Sequence, residues 1–290
     1  RLRWQRIMKQ VLQNLRSGET TLVDVPAPAA VPGTLVIATR SSLISIGTER
    51  MLVDFGRASY LQKARQQPEK VRQVINKIKT DGLFATLDSV KAKLDTPLEL
   101  GYCNAGVVVE VGSGVDGYAI GDRVASNGSH AEIVRVPVHL CAKVPDDVPF
   151  DNACYTVAGA IALQGVRLAQ PTLGERFLVI GLGLIGQLLV QILEASGARA
   201  LAIDLDESKC ELARPFCAAV ARAGDDLGLL QALVDGFTDG VGVDGVIITA
   251  SARSSAPMNH AAAVTRKRGR IIQVGDRKST RLNSSHSSVS

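Results

Sequence analysis

In the run Arg176-Phe177-Leu178-Val179-Ile180-Gly181-Leu182-Gly183-Leu184-Ile185-Gly186, an apolar stretch ends in glycines spaced G-x-G-x-x-G. Glycines at that spacing let a backbone turn tightly, let a pyrophosphate approach it, and let the next helix pack close to the strand. The amides at the helix start, around Leu184 and Ile185, are then free to donate to the anion. Asp204 follows Gly186 by 18 residues, near the roughly 20-residue spacing expected of a carboxylate that accepts hydrogen bonds from the adenosine ribose. Leu205 and Asp206 come next, so the sequence puts no Arg or Lys beside Asp204 to receive the 2′-phosphate of NADP. The expected cofactor is therefore NAD, held by Gly181, Gly183, Leu184, Ile185, Gly186 and Asp204, with NADP disfavoured. Asp206 is expected to cap a helix starting at Glu207.

These groups need a strand, a turn and a helix to carry them. Phe177–Ile180 reads as a buried strand, Leu184–Ala195 as an apolar helix stopped by Gly197, and Ala200–Ile203 as the next strand. From Asp151 onward the alternation continues. A helix over Asn152–Leu168 is followed by strands near Ala218–Ala221, at Gly245–Ile248 and at Arg270–Val274. The helices between them are Ser208–Arg214, Leu227–Asp235 and Ala256–Thr265. Repeated strand–helix units predict an α/β domain with a doubly wound parallel sheet over residues 151–275, its ligand at the carboxyl ends of the strands.

Residues 8–150 read differently. Thr21–Val25 stops at Pro26; Thr34–Ser45 is a longer apolar strand; Gly106–Val111, Gly121–Val124 and Ala131–Val136 are short strands punctuated by Gly and Pro, the pattern of a β-barrel-like module. Between Arg57 and Leu94, apolar residues recur at helical spacing, from Val71, Val74, Ile75 and Ile78 to Phe84, Leu87 and Leu94. This predicts an inserted helical hairpin with nine basic and three acidic side chains. It is either a solvated face or a rim, with Lys70, Arg72 and Lys77, that attracts an anionic substrate or partner.

Both ends look foreign to the fold. Met8 resembles a natural start, and the run from Asp276 to His286 resembles translated adapter sequence, so residues 1–7 and 276–290 are read as extensions and the sheet domain as incomplete. Those ends carry the whole formal charge of +5, leaving 27 basic and 27 acidic side chains in residues 8–275, which gives no case for nucleic-acid binding. No apolar run reaches the ~18 residues of a membrane span and no signal peptide precedes Met8, so a cytoplasmic protein is expected. Five scattered cysteines fit a reduced compartment better than a disulfide framework.

A barrel-like module followed by a dinucleotide-type sheet resembles the medium-chain dehydrogenase/reductase superfamily, whose N-terminal domain is GroES-like. The stretches that carry the resemblance are Ile46-Gly47-Thr48-Glu49, Gly101-Tyr102-Cys103, Ala105 to Gly112, Gly121-Asp122-Arg123-Val124, Gly181 to Gly186, and Thr238 to Asp244. It is similar to a bacterial subgroup in which this unit precedes a glucose–fructose oxidoreductase-like domain. Many members hold a catalytic zinc, and at two of the matching ligand positions this chain has Ile46 and Tyr102. Isoleucine offers no donor atom and neutral tyrosine is a poor ligand, so no zinc is expected. The resemblance then leaves four candidates for proton transfer: Thr48 at the family's proton-relay hydroxyl, Glu49 beside it, Tyr102 in place of the zinc histidine, and His130. Each also has a structural reading: Thr48 as a turn hydroxyl, Glu49 paired with a cation such as Arg50, Tyr102 as packing, His130 as a loop histidine with satisfied hydrogen bonds.

The resemblance implies an NAD-dependent oxidoreductase acting on an alcohol or carbonyl, sugar-derived in that subgroup, with a small-molecule substrate, no membrane or nucleic-acid partner, and a homodimer compatible with it. The rival is a non-catalytic module that binds NAD structurally and organises a fused domain or partner.

Overall fold

The computed structural model describes residues 7–57, 96–224, 226–251 and 254–275. The expected hairpin, from residue 58 onward, lies outside them, as do residues 1–6 and the tail from Asp276. The chain divides into two compact units, Arg1–Val157 and Ala158–Ser290.

The first unit is built from antiparallel strands. β1 (Ile7–Gln13) pairs with β2 (Thr20–Pro26) and with the short β4 (Leu98–Glu99). A five-stranded sheet runs in the order β7-β3-β5-β6-β8, from β3 (Thr34–Ser42), β5 (Asn104–Val111), β6 (Arg123–Ser126), β7 (Ile133–Pro137) and β8 (Cys141–Lys143). Leu35, Ile37, Val108 and Val124 are fully buried in its core. At the β3–β5 crossing a Cβ on Gly106 would overlap the Ala38 carbonyl, so only glycine lets these strands approach.

Two readings need correction here. The strand expected to reach Ser45 ends at Ser42, because Leu43 gives its amide to the Cys103 carbonyl and α1 (Ile46–Arg57) starts three residues later. Its helical start was hidden by Ile46 and Gly47, neither of which signals a cap. The single helix expected over Asn152–Leu168 is divided into α2 (Phe150–Ala153) and α3 (Thr156–Ala169).

The second unit is the parallel sheet, in the order β11-β10-β9-β12-β13. Its strands are β9 (Arg176–Ile180), β10 (Arg199–Asp204), β11 (Ala219–Arg222), β12 (Val243–Ile248) and β13 (Thr265–Gln273). Successive side chains of a strand point to opposite faces, and both faces are covered. Phe177 and Val179 pack with α3, α4 (Leu184–Ala195) and α5 (Glu207–Ala213). Leu178 and Ile180 pack with α6 (Leu227–Thr238) and α7 (Ala256–Val264). Burial on both faces is why these strands are continuously apolar rather than alternating. Leu189 and Leu193 are fully buried in the first layer; truncating either to Ala would cost roughly 2–5 kcal/mol. Gly197, at φ +84°, ends α4 in a left-handed turn that a side chain would strain.

Candidate active site and cofactor cradle

The glycine turn joins the carboxyl end of β9 to α4. Gly181 sits at φ +102°, and a Cβ there would lie 2.6 Å from the Ala250 amide nitrogen. A Cβ on Gly186 would overlap the Gly181 carbonyl oxygen, so this glycine lets the helix close on the turn. Around Gly183, by contrast, nothing lies within 4 Å of where a Cβ would stand, and this open position is where an anion can approach. The amides of Leu184, Ile185 and Gly186 precede the first helical bond, from Gln187 N to the Gly183 carbonyl at 2.9 Å, and so point outward unpaired by the helix. The residues present fit the pyrophosphate of a dinucleotide.

Three side chains set this turn, two of which the sequence reading missed. Asp204 Oδ2 accepts the Leu182 amide at 2.7 Å, and Oδ1 accepts the Asp206 amide at 3.0 Å. Each oxygen keeps a second lone pair for a ribose hydroxyl. Thr249 Oγ1 donates to the Gly181 carbonyl at 2.6 Å. Gln187 Nε2 donates both to Leu182 O at 3.2 Å and to Lys209 O at 2.8 Å, tying the turn to α5. Thr249 and Gln187 carry no motif of their own; only the fold brings them to the turn.

Asp206 caps α5 as expected, accepting from Ser208 N at 3.0 Å. Those Ser208 hydrogen bonds, with smaller contributions from Lys209 and Arg222, hold its carboxyl below the ordinary value. The absence of cations beside Asp204 is a correction. Lys209 Nζ stands 3.6 Å from Asp204 Oδ1 and 3.8 Å from Asp206 Oδ2, and Arg222 Nε donates to the Leu205 carbonyl at 3.1 Å. One cation comes from the following helix and the other from the neighbouring strand, so adjacency in sequence did not report them.

In the first unit, all four proton-transfer candidates meet in one hydrogen-bonded cluster. Ser45 precedes α1; its carbonyl accepts the Glu49 amide at 2.9 Å while Glu49 Oε1 accepts the Ser45 amide at 2.8 Å. This reciprocal capping arrangement turns the Glu49 side chain back and buries it. Glu49 Oε2 lies 3.0 Å from His130 Nε2, and His130 Nδ1 lies 2.9 Å from Ser42 Oγ. The partner of Glu49 is thus His130 rather than Arg50, which pairs with Asp54. Tyr102 OH donates to Ser45 Oγ at 2.8 Å, and Thr48 Oγ1 lies 3.5 Å from the same phenol. His130 is seated by Gly101, at φ +91°, whose missing Cβ would lie 2.7 Å from the ring.

The cluster is layered. Thr48 is exposed and Tyr102 half-buried, Ser45 and Glu49 are buried behind them, and both His130 nitrogens have partners. Thr48 and Tyr102 can therefore meet a substrate oxygen, whereas Glu49 and His130 are committed to holding the cluster. Ser42 and Ser45 were not anticipated. No local signal marks either: Ser45 stands four residues before Glu49, one more than the capping-box spacing, and Ser42 arrives from the end of β3.

The zinc positions do not fit the metal. Ile46 is 71% exposed and has no donor atom, and the Tyr102 hydroxyl is bound to Ser45. Among the described residues no group of three His, Cys, Asp or Glu side chains could hold a metal ion. Cys103 and Cys154 are both buried and neither is in a disulfide; burial, then the Asp151 charge, raises the Cys154 thiol above its usual value. No helix among the described residues is long and apolar enough to cross a membrane.

Comparison with known proteins follows the same division. Residues 75–146 match the alcohol dehydrogenase GroES-like domain family and residues 185–288 the zinc-binding dehydrogenase family. D-guloside 3-dehydrogenase of Escherichia coli K12 is 34% identical over 139 residues, 45% of this chain; the match spans 39% of that relative's length. A putative zinc-binding dehydrogenase from Sinorhizobium meliloti 1021, bound to NADP, shares the fold with a TM-score of 0.73 at 21% identity, over 96% of this chain and 79% of its own. An alcohol dehydrogenase from Escherichia coli CFT073, complexed with NADH, gives 0.70 at 17% identity, over 93% and 76%. One dehydrogenase family is thus matched in each module, each over less than half of the chain.

Proposed function

We propose that this chain is an NAD(H)-dependent oxidoreductase that interconverts an alcohol and a carbonyl, with a sugar-derived substrate, and that it works without a catalytic zinc. The observation that carries the reading is the hydrogen-bonded cluster of Thr48, Tyr102, Ser45, Glu49 and His130, whose Tyr102 takes the position that the resemblance assigns to a zinc histidine. The identity to a guloside dehydrogenase supports the sugar. A bound nicotinamide would supply the hydride acceptor or donor. The chain's own work is to hold the dinucleotide at the Gly183–Gly186 amides and Asp204, and to manage the alcohol proton. Thr48 and Tyr102 are the hydroxyls that hold the substrate oxygen and pass that proton; Ser45 orients the phenol; Glu49 and His130 fix Ser45 and α1.

The test is a fluorescence titration of the chain with NADH, followed by turnover on a panel of sugars, polyols and their ketones, with and without a chelator. Binding, chelator-resistant turnover, and a kcat lowered roughly 10²- to 10⁴-fold in Tyr102→Phe are expected of an acid–base group. Failure to bind NADH or NADPH rejects the reading, and one activating zinc per chain rejects its metal-free form. Binding without turnover on any substrate would instead establish a non-catalytic NAD-binding module.

A further inference from the structure

The cluster around α1 has a direction, set by which of its groups can only accept. Glu49, as a carboxylate, accepts and cannot donate. One of its oxygens takes the Ser45 amide at 2.8 Å and the other lies 3.0 Å from His130 Nε2, so that nitrogen must carry a proton. A lone pair there would face a carboxylate lone pair. The second ring nitrogen, Nδ1, lies 2.9 Å from Ser42 Oγ. A hydroxyl rotates to serve the ring in either charge state, donating to Nδ1 of the neutral imidazole and accepting from the imidazolium. At the other end, the Tyr102 phenol donates to Ser45 Oγ at 2.8 Å, which turns its proton inward and leaves its oxygen to accept. Thr48 Oγ1, 3.5 Å from that oxygen, is then the hydroxyl left to donate outward.

Ser42 is held firmly enough to act on the ring. It ends β3 in register with Asn104 of β5, and the next amide, that of Leu43, donates to the Cys103 carbonyl at 2.9 Å. The His130 backbone is pinned as well, its amide donating to Leu100 O at 2.7 Å and its carbonyl accepting from the Val11 amide at 2.9 Å. These contacts leave the ring one freedom, rotation of the side chain. Ser42 and Glu49 remove it by holding the ring at both nitrogens. The His130 and Glu49 side chains are 11% and 8% exposed, so water is a poor substitute for either partner.

Resting on the catalytic reading above, we propose that Ser42 is a positioning residue of the active site. Its hydroxyl holds His130 against Glu49, Glu49 fixes Ser45, and Ser45 takes the phenol proton. The substrate oxygen then meets a fixed pair: it accepts from Thr48 and, in the alcohol, donates to the Tyr102 oxygen. Ser42 touches none of the reacting atoms and acts only through these hydrogen bonds.

The experiment compares the full chain with Ser42→Ala and Ser42→Thr, isotope-labelled in histidine and tyrosine, with His130→Gln and Tyr102→Phe assigning the resonances and far-UV circular dichroism checking the fold. Nuclear magnetic resonance of the wild type should show a proton on His130 Nε2. Ser42→Ala should shift the His130 nitrogen and Tyr102 ring resonances, and Ser42→Thr, which keeps the hydroxyl, should restore both. On the best substrate of the panel above, Ser42→Ala should lower kcat about tenfold to a hundredfold, with KM and NADH affinity within about twofold of wild type, as expected when a reacting group is misplaced rather than removed. Ser42→Thr should recover most of that loss. A wild-type His130 protonated only at Nδ1 would overturn the proposal without recourse to any variant. Unchanged Tyr102 resonances in Ser42→Ala would overturn it too, as would an equal kcat loss in Ser42→Thr, which would point to side-chain volume instead of the hydroxyl. Shifted resonances without turnover on any substrate would overturn the catalytic reading while leaving Ser42 as the group that sets the phenol, so the two failures are distinct.

Discussion

Replacing Glu49 should be more damaging than its place at the head of a surface helix suggests. The side chain is only 6% exposed, and its two oxygens serve different elements: one accepts the Ser45 amide at 2.8 Å, the other faces His130 Nε2 at 3.0 Å. In Glu49→Ala both donors lose their partner. Each of the two buried donors left unpaired costs about 1–3 kcal/mol. A loss of about 2–6 kcal/mol therefore follows. In Glu49→Gln the amide oxygen can still accept from Ser45 and, with the imidazole in its other tautomer, the amide nitrogen can donate to Nε2. This variant should lose only about 1 kcal/mol. Urea unfolding followed by far-UV circular dichroism reads the difference; with a slope near 3 kcal/mol per M, Glu49→Ala moves the midpoint by about 1 M or more. A cycle with His130→Ala should show a coupling of about 1–3 kcal/mol. Additive losses, or a Glu49→Ala cost below about 1 kcal/mol, would refute the idea that this pair braces the cluster.

Two further outcomes depend on pH. Burial pushes the thiols of Cys141 and Cys217 up to about 11 from an ordinary 9.0. At pH 9 each is then about 1% thiolate in the folded chain against half in the unfolded one, so iodoacetamide should label both about fiftyfold more slowly before than after denaturation; equal rates would contradict the burial. At the sheet end opposite the cradle, Asp244 accepts from the Arg176 amide at 2.7 Å and from Arg266 at 2.6 Å, and Glu175 pairs with Arg270. In both carboxyls, burial raises the pKa but is outweighed by these partners, which hold it below the ordinary value. Groups lowered in this way stabilise the fold above their unfolded pKa, and that contribution is lost as pH falls through the folded one. The unfolding midpoint should drop on acidification below about pH 4, and less steeply in Asp244→Asn, while an identical acid limb in that variant would show that the pairing contributes nothing.

The glycine turn and its neighbour Asp204 were legible in the sequence because their parts are local. Gly181, Gly183 and Gly186 fall within one turn, the strand and helix that flank them show their periods directly, and Asp204 ends the next strand at a fixed spacing. Asp206 as the cap of α5 is readable for the same reason, since a cap acts on its own helix. The candidate cluster was legible only through resemblance. Glu49 and Thr48 are neighbours, but nothing local says that Tyr102 or His130 would reach them.

What tertiary structure decided was every contact between elements distant in sequence. The β3–β5 pairing and the Gly101 turn bring Tyr102 and His130 to the start of α1, and the end of β3 adds Ser42. The parallel register of β10 with β11 sets Arg222 beside Asp204 and Leu205, and α5 adds Lys209. A sequence states which charges exist and where the backbone turns; the electrostatic neighbourhood of a carboxylate depends on distances of 3–4 Å. Those distances arise from strand pairing and helix packing, and so the charges that surround Asp204 belong to the fold.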